Sequence, residues 1–408
     1  MKRPNGGRRI ATVATSVLVL LVAACGGHAT PAATGRATTT TAPSSASKGP
    51  ARGAAPASPG QHKARHLKGR QAQLKKRRAH GEQAARAGDR TGKARHKAAL
   101  VAQGPPRCPL TGTLAPNEKV AQRAAVAVKV ENLPQARPQW GLDKADIVFE
   151  EPVEGGITRF IAVFQCQSAA RIEPVRSGRL VDPQILEPMG RILFGYSGAI
   201  QPAINEIDSK RSLLFDVGAD RAGSAYWRDP DRYAPHNLVS STAALYAAAS
   251  ELGDRKERGP TPIFSYGPPA PGGTPAGVIN IYDPLDVTTW TWHRDTGVYY
   301  RSYSDTGPAM QGDGAQITAS NVIVMLVQER PTPYVEDDTG ALEQELTLKG
   351  KGPAWVFRDG QQFFGYWERP LLDHPTVFVE TNGTKISLTP GGTWVELVPD
   401  GLRVSVKP

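Results

Sequence analysis

The first 107 residues contain no aromatic residue and only two acidic ones, Glu82 and Asp89. All 7 Trp, 11 Tyr and 10 Phe lie beyond residue 107, so only the later part of the chain can build a sizeable core. The formal charge of +11 is equally uneven: residues 1–25 carry +4, residues 26–107 carry +15, and residues 108–408 carry −8. A basic DNA-binding fold is therefore disfavoured, because the part of the chain that can fold is acidic.

The sequence also lacks an apolar run long enough for a comfortable membrane span, which needs roughly 20 residues. Residues 10–24 are mostly apolar and follow a basic stretch, a pattern typical of a secretory signal. The run ends in Val-Ala-Ala-Cys at 22–25, which resembles a bacterial lipobox. The resemblance implies that residues 1–24 are a lipoprotein signal peptide and that Cys25 carries acyl chains such as palmitate. The alternative is an ordinary secretion signal with an incidental cysteine.

Residues 25–107 are predicted to be a disordered basic tether, because they have too little apolar surface to offset the entropy of ordering. A flexible coil of this length spans about 50 Å on average. Its repeated KARH segments at 63–66 and 93–96 suggest electrostatic attachment to an anionic envelope component. A solvated spacer is the alternative, and both remain open. Nucleic acid is not an expected partner of this segment, which has no aromatic residue for base stacking.

Cysteine is scarce, and the number of cysteines is consistent with an exported protein. Apart from Cys25 the chain contains only Cys108 and Cys166. An even pair in an oxidising compartment predicts one disulfide, with two buried free thiols as the alternative.

The composition after residue 107 predicts an α+β fold in two parts. Residues 108–252 mix strand patterns with three helical patterns, at 182–193, 201–208 and 241–252, and are predicted to form a mixed α/β N-terminal domain. Residues 253–277 are rich in Pro and Gly and are predicted to be a linker. Residues 278–408 contain many short strand-like runs and Gly-containing turns, which predict a β-rich C-terminal domain.

Motifs of the common enzyme classes are absent. The sequence contains no nucleophile elbow, phosphate-binding P-loop or dinucleotide fingerprint. Outside the tether the only histidines are His236, His293 and His374, and none has metal-ligand spacing to another. We therefore expect no metal site and no cofactor.

The region 117–400 closely resembles the YerB-like family of bacterial lipoproteins, whose N- and C-terminal parts are domains of unknown function. The residues that carry this resemblance are Asn132, ARPQ at 136–139, ADIV at 145–148, EGGITRF at 154–160, PVRSGR at 174–179, PHN at 235–237, NVIV at 321–324, FRDG at 357–360 and GGTW at 391–394. The resemblance implies a surface lipoprotein and no established reaction. Cys166 is not a hallmark of the family, so the disulfide is not implied by it.

Three arginines near strand ends or loops, Arg159, Arg176 and Arg179, are candidate anion-binding residues, because guanidinium groups bind phosphate or carboxylate bidentately. For Arg159 the alternative is an ion pair across a hairpin about Glu154, with Glu150 or Glu151. Candidate polar residues of the same cleft are Asp146, Glu154, His236 and Asn237.

Two functions follow from these residues. The favoured one is a non-enzymatic cell-envelope binding or scaffold lipoprotein, held in the cell membrane through Cys25 on the extracytoplasmic side. Its partners would be an anionic wall polymer or wall-synthesis proteins. The alternative is a wall hydrolase or transferase that acts on an anionic glycan or polyprenyl-phosphate substrate through the arginine and carboxylate cleft. A short Pro-x-Arg loop that resembles the LytR-CpsA-Psr phosphotransferases motivates this alternative, and no catalytic residue is assigned.

Overall fold

The computed structural model describes residues 75–76, 104–254, 258–269 and 271–408. The predicted signal peptide, Cys25 and nearly all of the predicted tether lie outside the described residues. Those from 104 onward belong to one unit of dense contacts. No helix within the described ranges has the length and apolar character needed to cross a membrane.

The N-terminal half combines short helices with strands. Its helices are α1 (Glu118–Gln122), α2 (Asp182–Leu186), α3 (Gln201–Ser209) and α4 (Thr242–Glu251). Its strands are β1 (Ala125–Glu131), β2 (Ile147–Pro152), β3 (Thr158–Phe164), β4 (Ile192–Gly195), β5 (Leu214–Asp216), β6 (Trp227–Arg228) and β7 (Leu238–Val239). Single 3₁₀ turns span Pro134–Ala136, Leu142–Lys144, Glu154–Gly156, Glu187–Met189 and Gly223–Ala225.

The C-terminal half consists of strands. They are β8 (Thr274–Pro275), β9 (Val278–Tyr282), β10 (Val287–His293), β11 (Val298–Tyr303), β12 (Gly307–Pro308), β13 (Thr318–Ala319), β14 (Asn321–Val327), β15 (Glu329–Val335), β16 (Leu342–Leu346), β17 (Gly350–Arg358), β18 (Gln361–Arg369), β19 (Val377–Glu380), β20 (Thr393–Pro399) and β21 (Val404–Lys407). The predicted α+β fold class is confirmed.

Strands from both halves form one mixed central sheet, in the order β19-β18-β17-β14-β20-β2-β3-β1-β4-β5, with β8 paired to β18. The halves meet where β20 runs parallel to β2, in a register that pairs Ile147 with Thr393 and Glu150 with Glu396. A second sheet has the order β12-β11-β10-β9-β21, with β13 beside β11. The pairs β15–β16 and β6–β7 are separate hairpins.

The central sheet is covered on both faces, which is why every residue of β1 and β2 is buried. One face packs against the second sheet and α4, with Trp290 and Leu245 in that core. The other face packs against α2, α3 and the end of β16, with Leu186, Ile207 and Leu346 in that core. We call these the first and the second face.

The segment predicted as a linker contributes to this fold. Ile263 is buried in the core of the second face, and β8 pairs with the central sheet. The division into two domains at 253–277 stays a prediction. At the other end of the fold, Cys108 and Cys166 form a disulfide, which joins the start of the described region to the end of β3.

Candidate functional site

The hairpin of β2 and β3 positions the predicted site. Glu154 opens the turn between the two strands, and Gly155 and Gly156 complete it with positive φ values of 72° and 73°, which glycine adopts without steric cost. Pairing across the hairpin places Arg159 opposite Glu151 of β2, and on its other side Arg159 faces Glu131 of β1. Directly paired residues share one face of a sheet, so these side chains point toward the second face.

Arg179 lies at the centre of a buried ion-pair cluster. Its Nε and Nη2 donate to the two carboxylate oxygens of Glu154 at 2.9 and 2.5 Å. Its Nη1 lies 2.6 Å from Glu336 Oε1, and its Nε lies 3.3 Å from Glu343 Oε2. Arg159 completes what we call the Arg179 cluster by donating from Nη2 to Glu154 Oε1 at 2.9 Å. Two predicted anion-binding arginines thus meet at one predicted carboxylate.

The carboxylates of the Arg179 cluster come from distant parts of the chain. Glu336 and Glu343 belong to the β15–β16 hairpin, which closes over the turn at Glu154–Gly156. The backbone N–H of Leu180 also donates to Glu343, at 2.8 Å. One oxygen from each of the three glutamates lies within 4.8 Å of the others, an arrangement that could hold a metal ion. In the structure their shared partner is the guanidinium of Arg179, which supplies the positive charge.

Burial sets the protonation of this cluster. Burial raises the pKa of Glu343 to about 8, with Glu336 adding to the effect, and burial also raises the pKa of Glu336. Burial would raise the pKa of Glu154 too, but Arg159 and Arg179 outweigh it and hold that pKa below its ordinary value. Glu154 therefore carries the negative charge that the two guanidinium groups share, whereas Glu343 and Glu336 hold their protons to a higher pH than ordinary glutamates do.

Arg159 is the less well paired of the two guanidinium groups. It is 4% exposed, and within the described residues its Nε and Nη1 have no hydrogen-bond partner. Burial, followed by the charge of Arg179, lowers its pKa to about 10. The alternative of a hairpin ion pair is therefore partly realised, with Glu154 as the partner instead of Glu150 or Glu151.

Arg176 and His236 meet at a neighbouring carboxylate. Glu131 is buried and lies opposite Arg159 in the sheet. Its Oε1 is 3.3 Å from Arg176 Nε, and its Oε2 is 2.9 Å from His236 Nδ1. The Arg176 and His236 side chains are 22% and 23% exposed, which makes them the most accessible of the candidate anion-binding and cleft residues.

Asp146 and Asn237 do not join this arrangement. Asp146 accepts from the backbone N–H groups of Gln165 and Cys166, at the opposite end of β3 from Arg159 and roughly 20 Å away along the strand. Burial raises its pKa. Asn237 donates to the carbonyl of Asp229 and therefore holds its own loop together. Both side chains are structural in this fold.

Sequence reasoning missed two further buried ion networks. On the second face, Lys129 contacts both Glu151 and Asp182, at 2.6 Å in the case of Asp182. The signal for this network was present, because Lys129 interrupts an otherwise apolar strand.

On the first face, Arg301 is fully buried and pairs with Glu150 at 2.7 Å and with Glu396 at 2.9 Å. The indole N–H of Trp290 also donates to Glu396. No local pattern links Glu150, Arg301 and Glu396, because they lie on three separate strands.

Comparison with known proteins gives the family. The model for the N-terminal domain of "Protein of unknown function (DUF3048)" matches residues 110–255, and the model for its C-terminal domain matches residues 279–395. The Bacillus subtilis (strain 168) protein named "Putative lipoprotein YerB" is 30% identical over 298 residues, which are 72% of this chain and 86% of that protein. The crystal structure of YerB protein from Bacillus subtilis has a TM-score of 0.62 at 26% identity and covers 73% of this chain and 99% of that one. This chain therefore belongs to the DUF3048 family.

Proposed function

We propose that the chain is a cell-envelope lipoprotein, anchored by lipidated Cys25 on the extracytoplasmic side of the membrane, and that its folded part binds envelope partners without catalysing a reaction. Support for the anchor comes from the lipobox-like residues 22–25 and from the name of the Bacillus relative. Binding is proposed instead of catalysis because the residues that a catalytic mechanism would use are held by partners within the fold.

The observation that carries this proposal is that the candidate anion-binding and cleft residues already have partners within the fold. Arg179 binds three glutamates and is 2% exposed, and Asp146 binds two backbone N–H groups at the far end of the hairpin. A general acid or base must reach the proton that it transfers. Among the candidate anion-binding and cleft residues, Arg176 and His236 are the most exposed, and the Arg176 guanidinium suits a contact surface for an anionic partner.

The anchor is tested by labelling cells that produce the full chain with an alkyne-bearing fatty acid. We expect the label on the wild-type chain and no label on Cys25→Ser, because the thioether requires a thiol. Cys108 and Cys166 are joined in a disulfide, so Cys25 is the remaining cysteine of the sequence that can take the label. Label that persists in Cys25→Ser would contradict the proposed anchor.

The binding role is tested by chemical cross-linking of the full chain in intact cells, followed by identification of the adducts. We expect an anionic wall polymer or wall-synthesis proteins in the adducts, at a lower yield for Arg176→Ala. Arg211→Ala is the matched control, because that arginine is 63% exposed and makes a surface pair with Asp208. Turnover of an anionic glycan or polyprenyl-phosphate substrate that is lost in Arg176→Ala would favour the hydrolase or transferase alternative.

A further inference from the structure

A narrow apolar pocket, with about 30 Å³ of free space, opens on the second face of the central sheet. Phe149, Met325 and Leu397 of the sheet form one side, and Ile263 and Phe264 lie among the remaining lining residues. Sites for small molecules are typically concave and mostly apolar, with a few polar groups that orient the ligand. The composition of this pocket matches that description.

The charged group in the lining is Arg369, at the end of β18. It is 3% exposed, and its Nη2 donates to the carbonyl oxygens of Gln184, at 2.5 Å, and Leu372. Its Nε is buried without a hydrogen-bond partner among the described residues. Burial lowers its pKa to about 10, against the opposing effect of the more distant Glu187 and Asp373. The guanidinium therefore lies in an apolar environment with carbonyl partners only.

The other buried arginines of the described chain have a counter-charge within ion-pair distance. Arg159 and Arg179 contact Glu154, and Arg301 contacts Glu150 and Glu396. The fourth, Arg358, lies 2.9 Å from the carboxylate of Asp359.

Arg369 has no carboxylate within 4 Å in the described residues, although a buried charge without a partner is costly. An anion at this position would remove that cost.

We propose that the Arg369 pocket binds the head group of a small amphipathic anion, with its carboxylate or phosphate on Arg369 and its apolar part along Ile263, Phe264 and Phe378 toward a wider neighbouring cleft. The site is separate from the Arg179 cluster and goes beyond the proposed envelope-binding function. Burial of an alkyl chain contributes affinity in proportion to its apolar area, and the guanidinium contributes selectivity for an anionic head group.

The pocket continues into a neighbouring cleft of about 230 Å³, which provides room for the apolar part of the ligand. The two share Ile263, Phe264, Thr376 and Phe378 in their linings. The second cleft is also lined by Lys385, an exposed residue, so a second cation lies along the route to solvent. A ligand longer than the pocket can therefore extend past Thr376.

The experiment is calorimetric titration of the chain from residue 25 onward, with Cys25→Ser so that no detergent competes for the pocket. This chain retains all of the described residues from 104 onward, which belong to one unit of dense contacts. The probes are decanoate, decyl phosphate and 1-decanol, each below its micelle concentration or solubility limit. We expect both anions to bind about 10- to 100-fold more tightly than the alcohol, the range given by a hydrogen bond to a charged group. A preference between the two anions distinguishes a free carboxylate from a phosphate head group as the natural source.

Two variants test the two halves of the site. Arg369→Met should remove the preference for anions over decanol, and Thr376→Trp, which narrows the opening while leaving Arg369 in place, should weaken all three probes. Arg211→Met is the surface control and should leave binding unchanged. Equal binding of decanoate and decanol to the unsubstituted chain would overturn the proposal, and this comparison needs no variant to fold. Anion selectivity that survives Arg369→Met in a variant with native circular dichroism would also overturn it.

Discussion

Arg179 and Arg369 are the same residue type, are both almost fully buried, and lie on the same face of the central sheet, yet their surroundings differ completely. Arg179 contacts three glutamates from two distant hairpins, whereas Arg369 contacts two backbone carbonyls. The first guanidinium therefore connects segments of the chain. The second retains an unpaired charge beside an apolar pocket, which is the arrangement expected of a residue that awaits a ligand.

The largest effect is expected from Arg179→Met. This substitution leaves Glu154, Glu336 and Glu343 buried together without their shared cation. Removing one partner of a buried ion pair typically costs about 3–5 kcal/mol. Urea unfolding of the chain from residue 25 should show that loss as a lower midpoint.

The control for this prediction is Arg211→Met, in which a surface pair is lost and a change of about 0–1 kcal/mol is expected. A loss in Arg179→Met no greater than in this control would mean that the three glutamates relax or protonate at little cost. Arg179 and Arg369 would then differ in the geometry of their contacts but not in how much each stabilises the fold.

A smaller effect is expected from Arg159→Met. Arg159 makes one charged hydrogen bond, to Glu154, and its charge acts against that of Arg179. Glu154 also keeps both of its bonds to Arg179. We therefore expect a loss of about 1–2 kcal/mol in the same unfolding measurement. A loss equal to that of Arg179→Met would show that the two guanidinium groups act as one unit.

The cluster should also make stability depend on pH. The folded chain holds a proton on Glu343 up to a pKa of about 8, whereas the ordinary value is 4.5. Since the folded state binds more protons than the unfolded state in this window, the free energy of unfolding falls as the pH rises from about 5 to about 8. Glu343→Gln cannot titrate, so its free energy of unfolding should fall less steeply with pH over this window.

This slope should not vanish in Glu343→Gln, because burial also raises the pKa of Glu151 to about 8. Urea midpoints at pH 6 and pH 8.5 give the slope for wild type and variant, and the difference between the two slopes is the contribution of Glu343. A variant with an unchanged slope would mean that Glu343 is not the group that titrates in this window.

Local patterns predicted the elements of this fold better than their assembly. The helix expected at 241–252 is present as α4, with Ser241 as its N-cap, because capping and apolar spacing are local properties. The prediction of a helix over 182–193 was correct for its first turns and wrong for the rest. Pro188 and Gly190 end it, and the apolar run that follows forms β4, a buried strand parallel to β1.

The pairing of distant strands could not be predicted from the sequence. The contact of β2 with β20 joins residues almost 250 positions apart, and no turn signal records such a register. For the same reason Glu154 and two arginines were predicted as site residues, whereas Glu336 and Glu343 were not. The resemblance to YerB-like lipoproteins was confirmed by the family models, since it depended on local motifs along most of the folded region.

The smallest effect on stability is expected from Arg369→Met. The size of this effect decides whether Arg369, unlike Arg179, is a ligand-binding residue and not a structural one. The substitution leaves no carboxylate unpaired, and a methionine side chain suits the apolar lining around Phe149 and Leu397. The carbonyls of Gln184 and Leu372 lose a donor, but the cost of the unpaired guanidinium disappears with it, so we expect a change within about 1 kcal/mol in urea unfolding. A loss as large as that of Arg179→Met would show that the carbonyl bonds alone make Arg369 a structural residue. A near-neutral substitution would leave ligand binding as the reason for a charge in an apolar pocket.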